Sequence, residues 1–94
     1  MRTSVPKLQL ADISPVLKRI ISELHSAGLD SAARELEVQC FAAYTSSSEW
    51  LGEVGAALDR FRRVNRGRYS ADLDPLIDEC LREVSKLWPR FGAV

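Results

Sequence analysis

The sequence predicts an all-α protein that folds as a compact four-helix bundle with mostly antiparallel helices. Apolar residues recur at three- and four-residue spacing in four segments, which is the spacing of one face of an α-helix. No segment alternates apolar and polar residues as a β-strand does. The helices are expected at about residues 15–27, 31–44, 47–65 and 75–88, and the short connections between them favour antiparallel neighbours.

The first and last predicted helices each open with a capping residue followed by proline. Ser14-Pro15 and Asp74-Pro75 both place proline at the first helical position, where its missing N–H is not needed. Gly28 is expected to end the first helix. The apolar stripes of these two helices are Val16, Leu17, Ile20, Ile21 and Leu24, and Leu76, Ile77, Cys80, Leu81, Val84, Leu87 and Trp88.

The second predicted helix is capped by Asp30 and runs to about Tyr44. Its main apolar arc is formed by Ala32, Ala33, Leu36, Cys40, Ala43 and Tyr44. Val38 and Phe41 fall on the other side, so the second half of this helix is apolar nearly all round. That pattern indicates central burial or a second contact surface.

The third predicted helix begins with a capping box, in which Ser46 is followed three residues later by Glu49. Its apolar arc is Trp50, Leu51, Val54, Ala57, Leu58, Phe61 and Val64. Gly52, Gly55 and Ala56 lie on the opposite face, and each glycine inside a helix costs about 1 kcal/mol relative to alanine. The small residues are either simply tolerated or allow close approach by another helix, from this chain or from a partner.

Length and charge restrict the classes of function that we expect. Ninety-four residues make one domain, so we expect an arm at residues 1–12 and a single helical domain at residues 13–94. Thirteen basic and thirteen acidic side chains cancel, which removes long-range attraction to nucleic acid or an anionic membrane. Residues 1–10 contain no long apolar run, so we expect neither a signal peptide nor a membrane span, and a cytoplasmic location.

The sequence contains no pattern typical of a catalytic, cofactor or metal site. Cys40 and Cys80 each fall on an apolar helix face and are expected to be buried thiols. The single histidine, His25, lies at the edge of the first apolar arc and forms no Cys-His cluster. We therefore expect a protein that is not an enzyme and has no cofactor.

A basic cluster offers an alternative function. Its members are Arg60, Arg62, Arg63, Arg66 and Arg68. As a phosphate-binding patch, this cluster would make the protein a nucleic-acid-associated regulator. However, cations are favoured at a helix C-terminus by the helix dipole. Acidic residues also follow at once in the sequence and could pair with the arginines: Asp72, Asp74, Asp78 and Glu79.

Three segments of the sequence resemble a group of short bacterial helical proteins: residues 20–24 (IISEL), 27–29 (AGL) and 48–53 (SEWLGE). The resemblance extends over about residues 16–88. The group is uncharacterised, and some of its genes lie near toxin–immunity genes. The resemblance therefore implies a protein-binding role but supplies no functional residue.

We therefore expect a small non-enzymatic protein-interaction module, either immunity- or antitoxin-like or self-associating as a homodimer. The candidate partner surface is Val38, Phe41, Gly52, Gly55 and Ala56. The alternative is the nucleic-acid regulator that uses the arginine cluster. We expect no membrane partner and no small-molecule substrate.

Overall fold

A computed structural model, described here over residues 12–44 and 46–89, contains four α-helices and no strand within those ranges. The helices are α1 (Ser14–Ser26), α2 (Asp30–Cys40), α3 (Ser47–Val64) and α4 (Asp74–Ser85), with a 3₁₀ helix (Ala71–Leu73) directly before α4. The predicted all-α four-helix bundle is confirmed. The prediction of an N-terminal arm falls almost entirely on residues outside the described ranges.

The helices form a closed ring in which each is antiparallel to its neighbours. Every helix packs against the next in sequence, and α1 also packs against α4. Lys18, near the start of α1, lies over Phe41, just beyond the end of α2. Arg62, near the end of α3, pairs with Asp78, near the start of α4. Ends that are distant in sequence therefore meet as they do in an up-and-down bundle.

The core is purely apolar, because no polar or charged side chain is buried among the described residues. It consists of Ile13, Leu17, Ile20, Ile21, Leu24, Ala33, Leu36, Cys40, Leu51, Val54, Ala57, Leu58, Phe61, Leu73, Ile77, Cys80, Leu81 and Val84. The predicted burial of Cys40 and Cys80 is confirmed. Burial raises the pKa of both thiols to about 12, since a thiolate in an apolar interior loses its hydration.

The predicted C-terminal end of α2 is wrong, because the helix stops at Cys40 and does not reach Tyr44. Phe41 leaves the helical conformation, with φ −120° and ψ 21°. Side chains satisfy the last carbonyls instead. Trp50 Nε1 donates to the Cys40 carbonyl oxygen over 2.6 Å, and the Tyr44 hydroxyl donates to the Gln39 carbonyl oxygen. These hydrogen bonds end the helix inside an apolar run whose local pattern favours its continuation.

Both aspartates predicted as caps have other roles. Asp30 lies inside the first turn of α2, where it accepts a hydrogen bond from His25. Asp74 accepts a hydrogen bond of 2.8 Å from the Tyr69 hydroxyl. The 3₁₀ helix before α4 is capped by Ser70, whose Oγ accepts the Asp72 N–H. Local spacing identified residue types that can cap a helix but not the side chains that these two aspartates bind.

Of the two serines predicted as caps, one caps its helix and the other does not. The Ser46 half of the capping box is confirmed, since Ser46 Oγ accepts the Glu49 N–H over 3.1 Å. Ser14 is the first residue of α1 rather than its cap, and its N–H donates to the Asp12 carboxylate over 3.0 Å. This hydrogen bond lowers the pKa of Asp12.

Two residues of the predicted apolar stripes lie at helix ends and are exposed. Val64 is the last residue of α3 and is 62% exposed, and Leu87 follows α4 and is 37% exposed. α4 ends at Ser85 rather than at about residue 88. None of the helices in the described ranges has the length and apolar character that a membrane span needs.

Candidate functional site

The groove between α1 and α2 combines an exposed aromatic ring with charged side chains. We call this the α1/α2 groove; it is lined by Lys18, Ile21, Ser22, His25, Ser26, Glu37 and Phe41 and has an open volume of about 640 Å³. Phe41 is 38% exposed, and Lys18 Nζ lies 5.8 Å from the centre of its ring. A cation at this distance is attracted to the ring face by about 0.5–1 kcal/mol at an exposed site.

His25, which lines this groove, is paired with an aspartate at the start of α2. His25 Nδ1 donates to Asp30 Oδ1 over 2.6 Å, across the turn that joins α1 to α2. Gly28 allows this turn because its φ is +81°, a conformation that side-chain-bearing residues rarely adopt. Because Asp30 holds the Nδ1 side of the ring, Nε2 is the nitrogen left for a ligand.

The candidate partner surface does not form one continuous exposed face. Val38 is 71% exposed and Ala56 is exposed, but they lie on different helices. Gly55 is buried and Gly52 is half-buried. Only Phe41 of these five residues lines the α1/α2 groove. The α2 side of the predicted surface is therefore accessible, whereas most of the glycine face is not.

Gly52 is covered by a residue of this chain. A Cβ atom at Gly52 would lie 3.3 Å from Trp88 Cε2, which is tighter than ordinary van der Waals contact. The indole Nε1 of Trp88 donates to the Ser48 carbonyl oxygen over 2.9 Å, one turn before Gly52. Close approach is thus one reason for glycine at this position, and an aromatic ring makes that approach rather than a second helix.

The structure divides the arginine cluster into paired and unpaired members. Arg62 pairs with Asp78 over 2.7 Å, and its Nε lies 3.9 Å from Asp74. Arg63 pairs with Asp59 over 3.3 Å within α3. Over residues 12–44 and 46–89, no ion pair involves the remaining three arginines, all of which are exposed: Arg60, Arg66 and Arg68. The predicted self-pairing therefore holds for Arg62 but not for the whole cluster.

Arg62 belongs to a structural network that joins α3 to α4. Burial lowers its pKa, but the hydrogen bond with Asp78 and the charges of Asp78 and Asp74 outweigh this effect and raise it. Burial and the hydrogen bond to Asp74 raise the pKa of Tyr69, whose ring packs 5.0 Å from that of Phe61. Arg62 is therefore committed to the fold and is a poor ligand-binding residue.

In the described part of the chain, no group of three or more His, Cys, Asp or Glu residues is placed to hold a metal ion.

The acidic residues expected to neutralise the arginines also divide into paired and unpaired members. Asp74 and Asp78 face Arg62, whereas Asp72 and Glu79 are exposed and form no ion pair within those residues.

Sequence reasoning missed two contacts made by residues that line the α1/α2 groove. The His25–Asp30 pair had a weak local signal, since the two residues are five positions apart with a glycine between them that lets the chain turn. The contact between Lys18 and Phe41 had none, because it depends on the packing of α1 against α2.

No protein-family model, no curated protein and no solved structure matches this chain. The resemblance to short bacterial helical proteins therefore stays a prediction, and the functional conclusion depends on the surface itself.

Proposed function

We propose that this chain is a small non-enzymatic protein-interaction module that binds a partner protein through the α1/α2 groove. The observation that supports the proposal is the position of Phe41. This ring lies outside α2, is 38% exposed and lies next to a lysine, and it is not part of the buried core of the bundle.

The chemistry of the groove favours a particular kind of contact. A partner's apolar side chain placed on Phe41 would bury aromatic surface, and aromatic residues are enriched among those that dominate binding energy. Lys18 would then pair with a carboxylate next to that side chain. Glu37 and His25 at the rim provide polar contacts that fix orientation.

The partner is a different protein in this proposal, and the resemblance suggests an immunity- or antitoxin-like form of binding. The groove carries both Lys18 and Glu37, so a partner with a carboxylate and a basic group in matching positions would be selected over others. Self-association is the competing outcome, which light scattering of the purified chain detects directly.

Quantitative affinity purification from the native cells tests the proposal with a matched pair of variants. Phe41→Glu places a charge in the groove, and Leu87→Glu makes the same change at an equally exposed apolar residue after α4. Circular dichroism first confirms that both variants remain helical.

We expect one protein to be retained in stoichiometric amount by the wild type and by Leu87→Glu, and to be lost with Phe41→Glu. Equal retention by Phe41→Glu would refute the groove as the binding site. If the wild type is a dimer and Phe41→Glu is a monomer, the groove serves self-association and the proposal of a different partner protein is wrong.

A further inference from the structure

The exposed end of α3 carries a second surface, which the α1/α2 groove does not include. It consists of Arg60, Arg63, Val64, Arg66 and Arg68, and we call it the α3-end surface. We propose that the α3-end surface binds an acidic amphipathic segment of a partner protein. This inference rests on the proposed function, since it assigns a second contact to the same kind of partner.

The charge of the α3-end surface is strongly positive although the chain as a whole is neutral. It contains four exposed arginines and is flanked by Asp59, which pairs with Arg63 over 3.3 Å. Arg60 and Arg63 are three residues apart and therefore share one face of α3. Arginine presents a planar fork of donors that matches a carboxylate, so an acidic ligand is complementary to this surface.

An exposed apolar side chain lies next to Arg60 on this surface. Val64 is 62% exposed, one turn after Arg60. Both residues line a cleft of about 50 Å³ between α2 and α3, together with Ala32 and Ala57. Since one water molecule occupies about 30 Å³, the cleft has room for the tip of an aliphatic side chain.

A protein segment fits these observations better than a phosphate backbone does. Glu35 lines the same cleft as Arg60, and Asp59 lies one residue before Arg60. A phosphate backbone carries a negative charge at every nucleotide and would meet both carboxylates, whereas a helix can place a neutral residue opposite them. Val64 offers apolar contact that phosphates do not use, whereas a Leu or Ile on an acidic helix would use it.

The proposed contact follows from helical spacing. In an acidic helix, an apolar residue and a carboxylate three or four positions away lie on one face, with about 5–6 Å between their Cβ atoms. This spacing lets the apolar residue contact Val64 while the carboxylate pairs with Arg60.

Fluorescence anisotropy with defined probes tests the inference. The first probe is a labelled helical peptide of about 18 residues, with glutamates and a leucine stripe, which spans about 27 Å. The second has glutamine in place of each leucine, and the third is a labelled DNA duplex of about 20 base pairs, which supplies phosphate charge alone. The variants are Arg60→Ala/Arg66→Ala and Val64→Ser, with Arg82→Ala on α4 as the matched loss of an exposed arginine.

We expect the leucine peptide to bind most tightly at about 50 mM salt and to weaken as salt rises. Arg60→Ala/Arg66→Ala should weaken both peptides by about tenfold, since each exposed ion pair accounts for a few-fold in Kd. Val64→Ser should weaken only the leucine peptide, by about fivefold, and Arg82→Ala should change neither.

Two results would overturn the inference. Tighter binding of the duplex than of the leucine peptide, unaffected by Val64→Ser, would identify a nucleic-acid site. No binding of either peptide at low salt would exclude an acidic partner. Neither result involves Phe41, so the α1/α2 groove is tested separately by Phe41→Glu.

Discussion

The indole ring of Trp88 lies against the backbone of Gly52, so close that a Cβ atom there would come within 3.3 Å of Trp88 Cε2. The same indole donates its N–H to the Ser48 carbonyl oxygen. Residues 36 positions apart in sequence thus join the segment that follows α4 to the start of α3. This contact explains one of the two glycines inside α3.

Gly52→Ala should therefore stabilise the protein less than helix propensity alone predicts. Alanine gains about 1 kcal/mol over glycine in a helix, but here its methyl group displaces the Trp88 ring. In a Trp88→Ala background the full gain should appear, giving a coupling energy of about 0.5 kcal/mol or more by urea denaturation. As a control, Ala56→Gly at an exposed position should cost about 1 kcal/mol in either background. Additive effects of Gly52→Ala and Trp88→Ala would contradict the contact.

The ion pair between Arg62 and Asp78 should contribute more to stability than the ion pair between Arg63 and Asp59. Arg62→Ala should lower the free energy of unfolding by about 1 kcal/mol, because a bonded, partly buried pair is lost. Arg63→Ala, which removes only a surface pair with Asp59, should cost less than about 0.5 kcal/mol. Denaturant titrations of both variants measure the difference. Equal losses would mean that Arg62 has no special structural role.

For the same reason, loss of DNA binding in Arg62→Ala would not identify a phosphate contact, since the variant also disturbs the α3–α4 network. The exposed Arg60, Arg66 and Arg68 are the arginines with which a nucleic-acid function should be tested.

Asp12 should make the stability of α1 depend on pH in the acid range. Its pKa is lowered from 3.8 by the hydrogen bond from the Ser14 N–H. A lowered folded-state pKa gives stability that is present above the unfolded-state pKa and is lost as pH falls through the folded value. Asp12→Ala should therefore lower the midpoint of thermal unfolding at neutral pH, with the difference from wild type shrinking towards about pH 2. A difference that does not change with pH would contradict this role.

The two cysteines should be inert while the protein is folded. Both thiols are fully buried, and their pKa values are raised to about 12. At about pH 8 a thiol reagent should modify them only as fast as the protein unfolds, because the thiolate is the reactive form. Labelling with Ellman's reagent across a urea gradient should follow the loss of helical circular dichroism. Rapid labelling of either cysteine in native buffer would show that its part of the core opens locally.

Sequence predicted the elements of this fold well where local signals and tertiary structure agree. α3 shows this agreement, since its capping box and apolar stripe correctly place its start at Ser47. The end of α2 shows the opposite. There the Trp50 indole, ten residues away, binds the Cys40 carbonyl and ends an apolar run that local spacing would continue.

The candidate site could be predicted only in part, because its contacts depend on how the helices pack. The position of Phe41 off the main apolar arc predicts that its ring is accessible, and the ring is exposed. Its lysine neighbour could not be found, because Lys18 reaches it only once α1 packs against α2. Helical spacing places Gly55 on the same surface, but spacing alone does not show which neighbour covers that face, and Gly55 is buried.

Site-specific photo-crosslinking at position 41 is the most direct test of the proposed function. Phe41 is replaced by p-benzoylphenylalanine in the native cells, and Leu87 is replaced in the same way as the control, since its exposure is nearly equal. We predict one discrete crosslinked partner protein from position 41 and none from position 87. Equal crosslinking from both positions, or none from position 41, would contradict a protein-binding role for the α1/α2 groove.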